Sequence, residues 1–375
     1  MRILQVIPAL ESGGVERCVL EISDYLISEG HDVFVMSKGG WMKMLLNKKC
    51  AHIDCKIGSK NIFKIIKNAR FIKKFCEDNK IDLVHVHSRA PAWACYLAWK
   101  RSNFKLVTTV HGAYSTKGIF KKWYNSVMLR SDCVIAVSDF IKNYIAQEYN
   151  CNMQNVHVVP RGVDLNLFCP GKVSNERVAK MANDLQIMYD KYIITVPARI
   201  TEIKGHEYLL EAVAMIKSKN YMCLFVGDWH GKLKYKTKLE AKIKTLNLEA
   251  NVRFTGGVKD MSALYLLSDL VILPSIKPES FGKVIIEAGA MGCVILSTNI
   301  GTPKDNIFEG VNGFLVPPKN AMAMSTKILE IMQSERHKDA EYKAHTSAYF
   351  RDKFNVMVTC KAECGMYQRL CNKAS

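Results

Sequence analysis

Short, mostly apolar runs alternate along the chain with longer stretches in which apolar residues recur every three or four positions. Ile3-Leu4-Gln5-Val6-Ile7-Pro8 predicts a first strand, Ser12-Gly13-Gly14 a glycine-rich turn, and residues 15–29 a helix that Gly30 ends. Val33-Phe34-Val35 and the apolar runs at 83–86, 106–110 and 133–137 extend the series. Continuous apolar strands separated by helices predict a parallel sheet buried on both faces, a Rossmann-like half. The stretch 156–164, with Pro160 and Gly162 between two apolar runs, predicts a hinge. A second series then begins, with strands expected at 192–196, 223–226, 252–254, 270–273 and 294–296, and residues 346–370 predict a final, mostly helical stretch. Two doubly wound halves imply a cleft fed by the carboxyl ends of both sheets.

The length agrees: 375 residues is about twice the usual 100–200 of one domain. With 49% hydrophobic and 23% charged residues the chain is neither disordered nor collagen-like nor a coiled coil. Met1-Arg2-Ile3-Leu4 leads straight into the first strand without the parts of a signal peptide, and the longest charge-free stretch, 288–303, is too short to span a bilayer. A cytoplasmic protein is expected. The thirteen cysteines form no C-x-x-C pair and no zinc-like pattern, so reduced, mostly buried thiols are expected. The net charge of +18 changes the picture more, because it favours an anionic partner: nucleic acid, an anionic membrane or phosphorylated substrates. No RRM, helix-turn-helix or zinc-finger pattern accompanies the charge, and nucleic acid is not expected.

Candidate chemistry gathers at strand ends. In Pro278-Glu279-Ser280-Phe281-Gly282-Lys283-Val284-Ile285-Ile286-Glu287, two carboxylates flank a glycine at the start of an apolar helix. Gly282 lets backbone N–H groups approach a ligand, a helix N-terminus favours an anion, and carboxylates accept hydrogen bonds from vicinal hydroxyls. Arg199 and Lys204 stand just after the first strand of the second half, placed to neutralise a diphosphate. Gly13-Gly14 offers a phosphate-approaching turn but lacks the full G-x-G-x-x-G fingerprint. His85 and His87 share one face of a strand, yet with His111 they are not expected to hold a metal.

These pieces, in this order, resemble the family-four retaining glycosyltransferases of the GT-B fold. The resemblance runs nearly end to end: Gly13-Gly14, Asp82-Leu83-Val84-His85-Val86-His87, Thr109-Val110-His111-Gly112, Val159-Pro160-Arg161-Gly162-Val163-Asp164, Arg199 with Lys204-Gly205, Phe254-Thr255-Gly256, Asp269 with Pro274-Ser275, Glu279 with Glu287, and Asn312-Gly313-Phe314-Leu315-Val316. It implies an α/β chain of two facing Rossmann-like domains. Residues 1–165 would form the acceptor domain, completed by a returning C-terminal helix at about 355–375, and residues 166–354 the nucleotide-sugar donor domain. By the same resemblance Arg199 and Lys204 bind the donor diphosphate and stabilise the leaving group, without a cofactor or metal. Glu287 would take the ribose, Glu279 and His111 the donor sugar, and backbone groups of Phe281, Gly282 and Lys283 the sugar and phosphate. Gly13 and Gly14 would lie near the phosphate, and Val258 near the base. A UDP-sugar is the favoured donor. The acceptor would be a glycan or lipid-linked hydroxyl in lipopolysaccharide, capsule or other surface polysaccharide synthesis, met mostly by the loops 88–93 and 111–123. Departures fall at Asp305 in Gly301-Thr302-Pro303-Lys304-Asp305, where the family has glutamate, and at Asp228-Trp229-His230-Gly231 in place of G-x-G-P. The alternatives are a GT-B sugar-nucleotide epimerase and a non-catalytic nucleotide-sugar-binding protein; the oligomeric state is not encoded in any recognisable pattern.

Between Asp54 and Glu77 there is no acid but seven cations. At about 100° per residue, Ile62, Ile65, Ile66, Ala69, Ile72 and Cys76 share an apolar arc. The opposite arc holds Lys60, Lys64, Lys67, Arg70 and Lys74 with Phe63 and Phe71 among them, while Lys73 falls on the apolar side. Aromatics within a basic face suit an anionic bilayer, where each basic residue contributes about 1 kcal/mol. A peripheral place on the cytoplasmic face of the inner membrane follows as the expectation.

Overall fold

The computed structural model describes every residue except Ser12, Tyr189, Lys219, His230, Lys373, Ala374 and Ser375. The chain divides into two compact units, Met1–Gly162 with Val356–Ser375, and Val163–Asn355.

In the first unit seven strands run parallel: β1 (Arg2–Val6), β2 (Asp32–Ser37), β3 (Ala51–Asp54), β4 (Leu83–Val86), β5 (Lys105–Val110), β6 (Cys133–Ala136) and β7 (Val156–Val158), in the order β3-β2-β1-β4-β5-β6-β7. The helices between them are α1 (Gly14–Ser28), α2 (Ile62–Asp78), α3 (Arg89–Trp99), α4 (Ile119–Asn125) and α5 (Asp139–Glu148). Every residue of β4 and β6 is buried, as expected of central strands covered on both faces. Two strands differ from the sequence reading. Val156–Val158 is the edge strand β7 rather than part of the hinge, and the chain leaves the sheet only at Pro160. Ala51-His52-Ile53-Asp54 forms β3 without an apolar run, because an edge strand is only half covered.

The second unit holds six parallel strands: β8 (Tyr192–Pro197), β9 (Tyr221–Val226), β10 (Val252–Gly256), β11 (Leu270–Leu273), β12 (Ile295–Thr298) and β13 (Phe314–Val316), in the order β10-β9-β8-β11-β12-β13. Its helices are α6 (Asn175–Asp184), α7 (His206–Ala214), α8 (Leu233–Thr245), α9 (Met261–Leu267), α10 (Lys283–Ala290), α11 (Pro303–Asn306), α12 (Ala321–Gln333) and α13 (Ala340–Lys353). One core cluster packs α7 and α12 on the sheet through Leu209, Leu210, Phe225, Ile328 and Ile331. On the other side α10 presses against α13, where a Cβ on Gly289 would lie 2.1 Å from the ring of Phe350.

The expected final helical stretch is two helices. The chain breaks at Phe354-Asn355, so α13 stays in the second unit while α14 (Val356–Asn372) belongs to the first. There Cys360, Cys364, Met366 and Tyr367 pack with Ile3, Ile22, Leu26 and Ile135, alongside α1. At about 1.5–3 kcal/mol for each large apolar side chain, this seam holds the helix to the sheet. All thirteen cysteines are free thiols. Among the described residues, no helix is long and apolar enough to cross a membrane.

Candidate active site

In a doubly wound sheet, ligands sit beyond the carboxyl ends of the strands, where the strand order reverses. In the second unit that reversal lies between β8 and β11. Arg199 and Lys204 follow β8, and Ser275 and Glu279 follow β11. The two loops are stitched together: Ile276 N–H bonds Ile203 O at 2.9 Å, and Lys204 Nζ donates to Glu279 Oε1 at 2.5 Å. Gly205 makes this approach possible. It stands at φ +72°, and a Cβ there would sit 1.9 Å from Pro274 O, so any side chain would push the loops apart.

Glu279 is held from three sides. Its Oε1 accepts from Lys204 and also from Ser275 Oγ, and its backbone O accepts from Thr302 N–H at 2.9 Å in a bridge to the Gly301 turn after β12. Its Oε2 has no partner among the described residues, which leaves one acceptor oxygen for a ligand hydroxyl. The Lys204 and Glu279 side chains are 21% and 17% exposed, accessible yet shielded enough to strengthen their field. Arg199 is exposed beside them on the same loop.

The segment after Glu279 behaves as its composition predicts. Gly282, left-handed at φ 74° and ψ 47°, caps the eight-residue α10, whose first residue is Lys283 and whose second turn begins at Glu287. Glu287 Oε2 accepts from the hydroxyl of buried Tyr265 at 3.3 Å. Phe281 packs edge-on against Phe354 at 6.1 Å, and the half-buried Val258 side chain packs against the cluster of Met222 and Leu264. Of the two departures from the family pattern, Asp305 lies exposed on α11, and Trp229 carries Lys236 over its ring at 4.9 Å. His230 falls outside the described residues.

In the first unit the reversal lies between β1 and β4. Gly13 caps α1 and Gly14 begins it, both exposed. The Glu16 carboxylate folds back over Gly13, so a protein anion already covers that helix N-terminus. Around His111 lies a buried polar network that the sequence did not reveal. His87 Nδ1 meets His111 Nε2 at 3.2 Å, and His87 Nε2 meets Gln5 Oε1 at 2.6 Å. His85 Nδ1 donates to Tyr367 Oη at 2.7 Å, Tyr367 donates on to Glu363, and Glu363 takes the guanidinium of Arg161. Burial, with Arg161 nearby, pushes all three histidines well below the usual imidazole range, so they stay neutral. Among the described residues no group of three His, Cys, Asp or Glu has a geometry that could hold a metal.

Helix α2 is narrower than its expected apolar arc. Ile65, Ala69, Ile72 and Cys76 are buried, but Ile62 and Ile66 are 57% and 38% exposed, lining an open groove with Leu97 of α3 and Arg101 just beyond its end. Lys60, Phe63, Lys64, Lys67, Arg70, Phe71 and Lys74 are all exposed, though Lys74 pairs with Asp78 at 3.0 Å. The segment 88–93, expected as a loop, is the cap and first turns of α3. Farther along, α4 presents Ile119 and Phe120, 86% and 90% exposed, and Trp123 among exposed Lys117, Lys121 and Lys122. The sequence signal was present there in Gly118-Ile119-Phe120-Lys121-Lys122-Trp123, an apolar and basic mixture too short to show a helical period.

Known proteins share this arrangement. The family described as Glycosyltransferase Family 4 matches residues 12–167, and that described as Glycosyl transferases group 1 matches residues 178–347. A crystal structure of a glycosyltransferase from Rickettsia africae ESF-5 is 35% identical, covers 100% of this chain and 99% of its own, and has a TM-score of 0.91. Anabaena Alr3699/HepE, solved in complex with UDP-glucose, is 22% identical over 98% of this chain and 100% of its own, with a TM-score of 0.86. An uncharacterized 41.2 kDa protein in the cps region of Klebsiella pneumoniae is 27% identical over 70% of this chain and 72% of its own length. Two Rossmann-like α/β units with these strand orders make up the GT-B fold. The chain belongs to the group 1 glycosyltransferases of family 4 type, and it is a transferase enzyme.

Proposed function

We propose that this enzyme moves a sugar from a nucleotide-sugar, a UDP-sugar in the first instance, to a hydroxyl of a glycan or lipid-linked acceptor in surface-polysaccharide synthesis. The observation that carries the reading is the Lys204–Glu279–Ser275 cluster at the β8/β11 reversal. It sets a cation and a carboxylate with one open oxygen side by side, as a phosphate-linked sugar requires. Arg199 and Lys204 would meet the diphosphate and stabilise the charge on the departing phosphate, the work a divalent ion does elsewhere. Glu279 Oε2 would accept from a sugar hydroxyl, Glu287 from the ribose, and the backbone of residues 281–283 would hold sugar and phosphate at the start of α10. A carboxylate that holds an ammonium and a hydroxyl on Oε1 and spends Oε2 on a sugar hydroxyl is a weak nucleophile. That supports retention by front-face attack, assisted by the leaving phosphate, over a covalent glycosyl-enzyme. The UDP-glucose complex of the Anabaena protein and the cps location of the Klebsiella relative support the donor class and the pathway.

Titration calorimetry in EDTA against UDP, GDP and ADP, each with and without a hexose, tests this. Saturable binding of the uridine pair alone is expected, weakened about tenfold or more by Arg199→Ala. Binding that appears only when a divalent ion is added would sink the metal-free site. Product analysis separates the alternatives, because an epimerase yields an altered nucleotide-sugar with no acceptor present.

Membrane contact is part of the same proposal. Lys60, Lys64, Lys67 and Arg70 have no ion-pair partner within 4 Å among the described residues, and Phe63 and Phe71 stand between them. Across α3, the exposed Ile119, Phe120 and Trp123 add apolar area with lysines around it, the composition of an interfacial anchor. Cosedimentation with vesicles containing anionic lipid is expected and should fall as salt rises. Charge reversal at Lys64, Lys67 and Arg70 together should lower it by about tenfold or more. Unchanged cosedimentation would remove α2 from the contact.

A further inference from the structure

Neutral imidazole carries one N–H and one lone pair, so a chain of buried histidines can pass a choice of tautomer from one ring to the next. Gln5, at the fourth position of β1, and His87, just after β4, are both buried and face each other across the strand reversal of the first unit. Gln5 turns its carbonyl Oε1 toward His87 Nε2 at 2.6 Å and leaves its own amide nitrogen buried without a partner among the described residues; an oxygen there requires the ring nitrogen to carry the proton. His87 Nδ1 then holds only a lone pair. Its contact with His111 Nε2 at 3.2 Å requires His111 to donate from Nε2. The remaining nitrogen of His111, Nδ1, is left bare, and it has no partner among the described residues. The second histidine branch is independent: His85 spends its Nδ1 proton on Tyr367 and accepts from Thr109 Oγ1 at 2.7 Å, so it offers His87 nothing.

We propose that Gln5 and His87 are positioning residues that fix His111 as its Nε2–H tautomer, so that Nδ1 recognises a hydroxyl donor of the bound substrate. A bare nitrogen accepts from O–H and cannot donate to a carbonyl or a phosphate oxygen. The group that His111 meets is therefore a sugar or acceptor hydroxyl. This deepens the sugar-contact reading of His111 and rests on it. Neutrality of all three rings, enforced by burial and by Arg161, is what keeps the relay single-valued. A proton added to either ring would make both its nitrogens donors and break the order.

The full-length protein with 15N-labelled histidine, free of substrate, gives the answer through two-bond proton–nitrogen correlations. The signals are assigned by comparison with His111→Gln and His87→Gln. His87 and His111 are both expected as Nε2–H tautomers. Nδ1–H on either ring means that the Gln5 amide faces the other way, and it overturns the proposal. Gln5→Leu removes the acceptor. It should let His111 populate both tautomers and lower kcat/KM for transfer by about tenfold, the worth of one hydrogen bond. Gln5→Glu, which still offers an oxygen, should restore the Nε2–H tautomer and most of kcat/KM. Restored packing without a restored tautomer would show Gln5 to be structural only. If Gln5→Leu fails to fold, the wild-type spectrum still decides. Because the tautomers are read without substrate, expected tautomers with transfer indifferent to His111 would defeat the sugar-contact reading while leaving the relay standing.

Discussion

Replacing Lys204 with alanine is expected to slow sugar transfer by about 10²–10³-fold, chiefly in kcat, while leaving the fold intact. Lys204 Nζ stands beyond the carboxyl end of β8, a fifth exposed, and among the described residues its anion partner is Glu279. A pair that is mostly buried but still open to solvent should cost about 1–3 kcal/mol of stability when Lys204 is removed, a modest fall in Tm well short of unfolding. In transfer the balance is different. Negative charge builds on the departing phosphate, and a cation fixed by a neighbouring carboxylate meets that charge without reorganising. Glu279→Gln should cost less in kcat than Lys204→Ala, because the amide can still accept from a sugar hydroxyl through its oxygen. The two sites touch, so their effects should be non-additive, with a coupling of about 1 kcal/mol or more in kcat/KM for the double variant. A Lys204→Ala enzyme within about fivefold of wild type would remove Lys204 from the leaving-group site.

Much of this site could be read before any coordinates, and the reason is local. Strand-end glycines, a lysine five residues after an arginine, and two glutamates astride a helix start are near neighbours in sequence. Apolar runs marked the buried strands for the same reason, since a central strand is covered on both faces all along its length. What stayed hidden depends on the third dimension. Ser275 and Lys204 share one oxygen of Glu279, Tyr265 reaches Glu287 from α9, and Gln5 reaches His87 from 82 residues away. No periodicity encodes such meetings. Edge strands β3 and β7 escaped because they are half exposed and carry polar residues. The apolar arc of α2 was drawn too wide because periodicity shows which residues share a face, not where the neighbouring helix stops. Ile62 and Ile66 line an open groove beside the end of α3, which leaves apolar surface near the lysines.

Glu363→Ala is expected to destabilise the first unit by about 3–5 kcal/mol, the largest stability loss from a single change outside the apolar core. Arg161 lies two residues before the chain enters the second unit, and Glu363 lies on α14 after the chain has come back. Their side chains are 5% and 0% exposed, so the one ion pair fastens outgoing and returning chain to the same sheet. Removing the carboxylate strands a buried guanidinium whose other hydrogen bond among the described residues goes to Thr109 Oγ1 at 3.4 Å. It also takes the acceptor from Tyr367 and so loosens His85. The double variant Arg161→Met with Glu363→Met should recover much of the loss, because an apolar pair pays no desolvation cost. The same region should respond to pH. The three histidines titrate well below their unfolded value of about 6.5, so below that pH the unfolded chain binds protons that the folded one refuses. Stability should therefore fall as pH drops below about 7, by up to about 1.4 kcal/mol per histidine for each unit. Urea titrations at pH 7.5 and 5.5 check both statements. A Glu363→Ala protein as stable as wild type would show that the pair is no fastening, and equal stability at the two pH values would show that the buried histidines accept protons within the folded state.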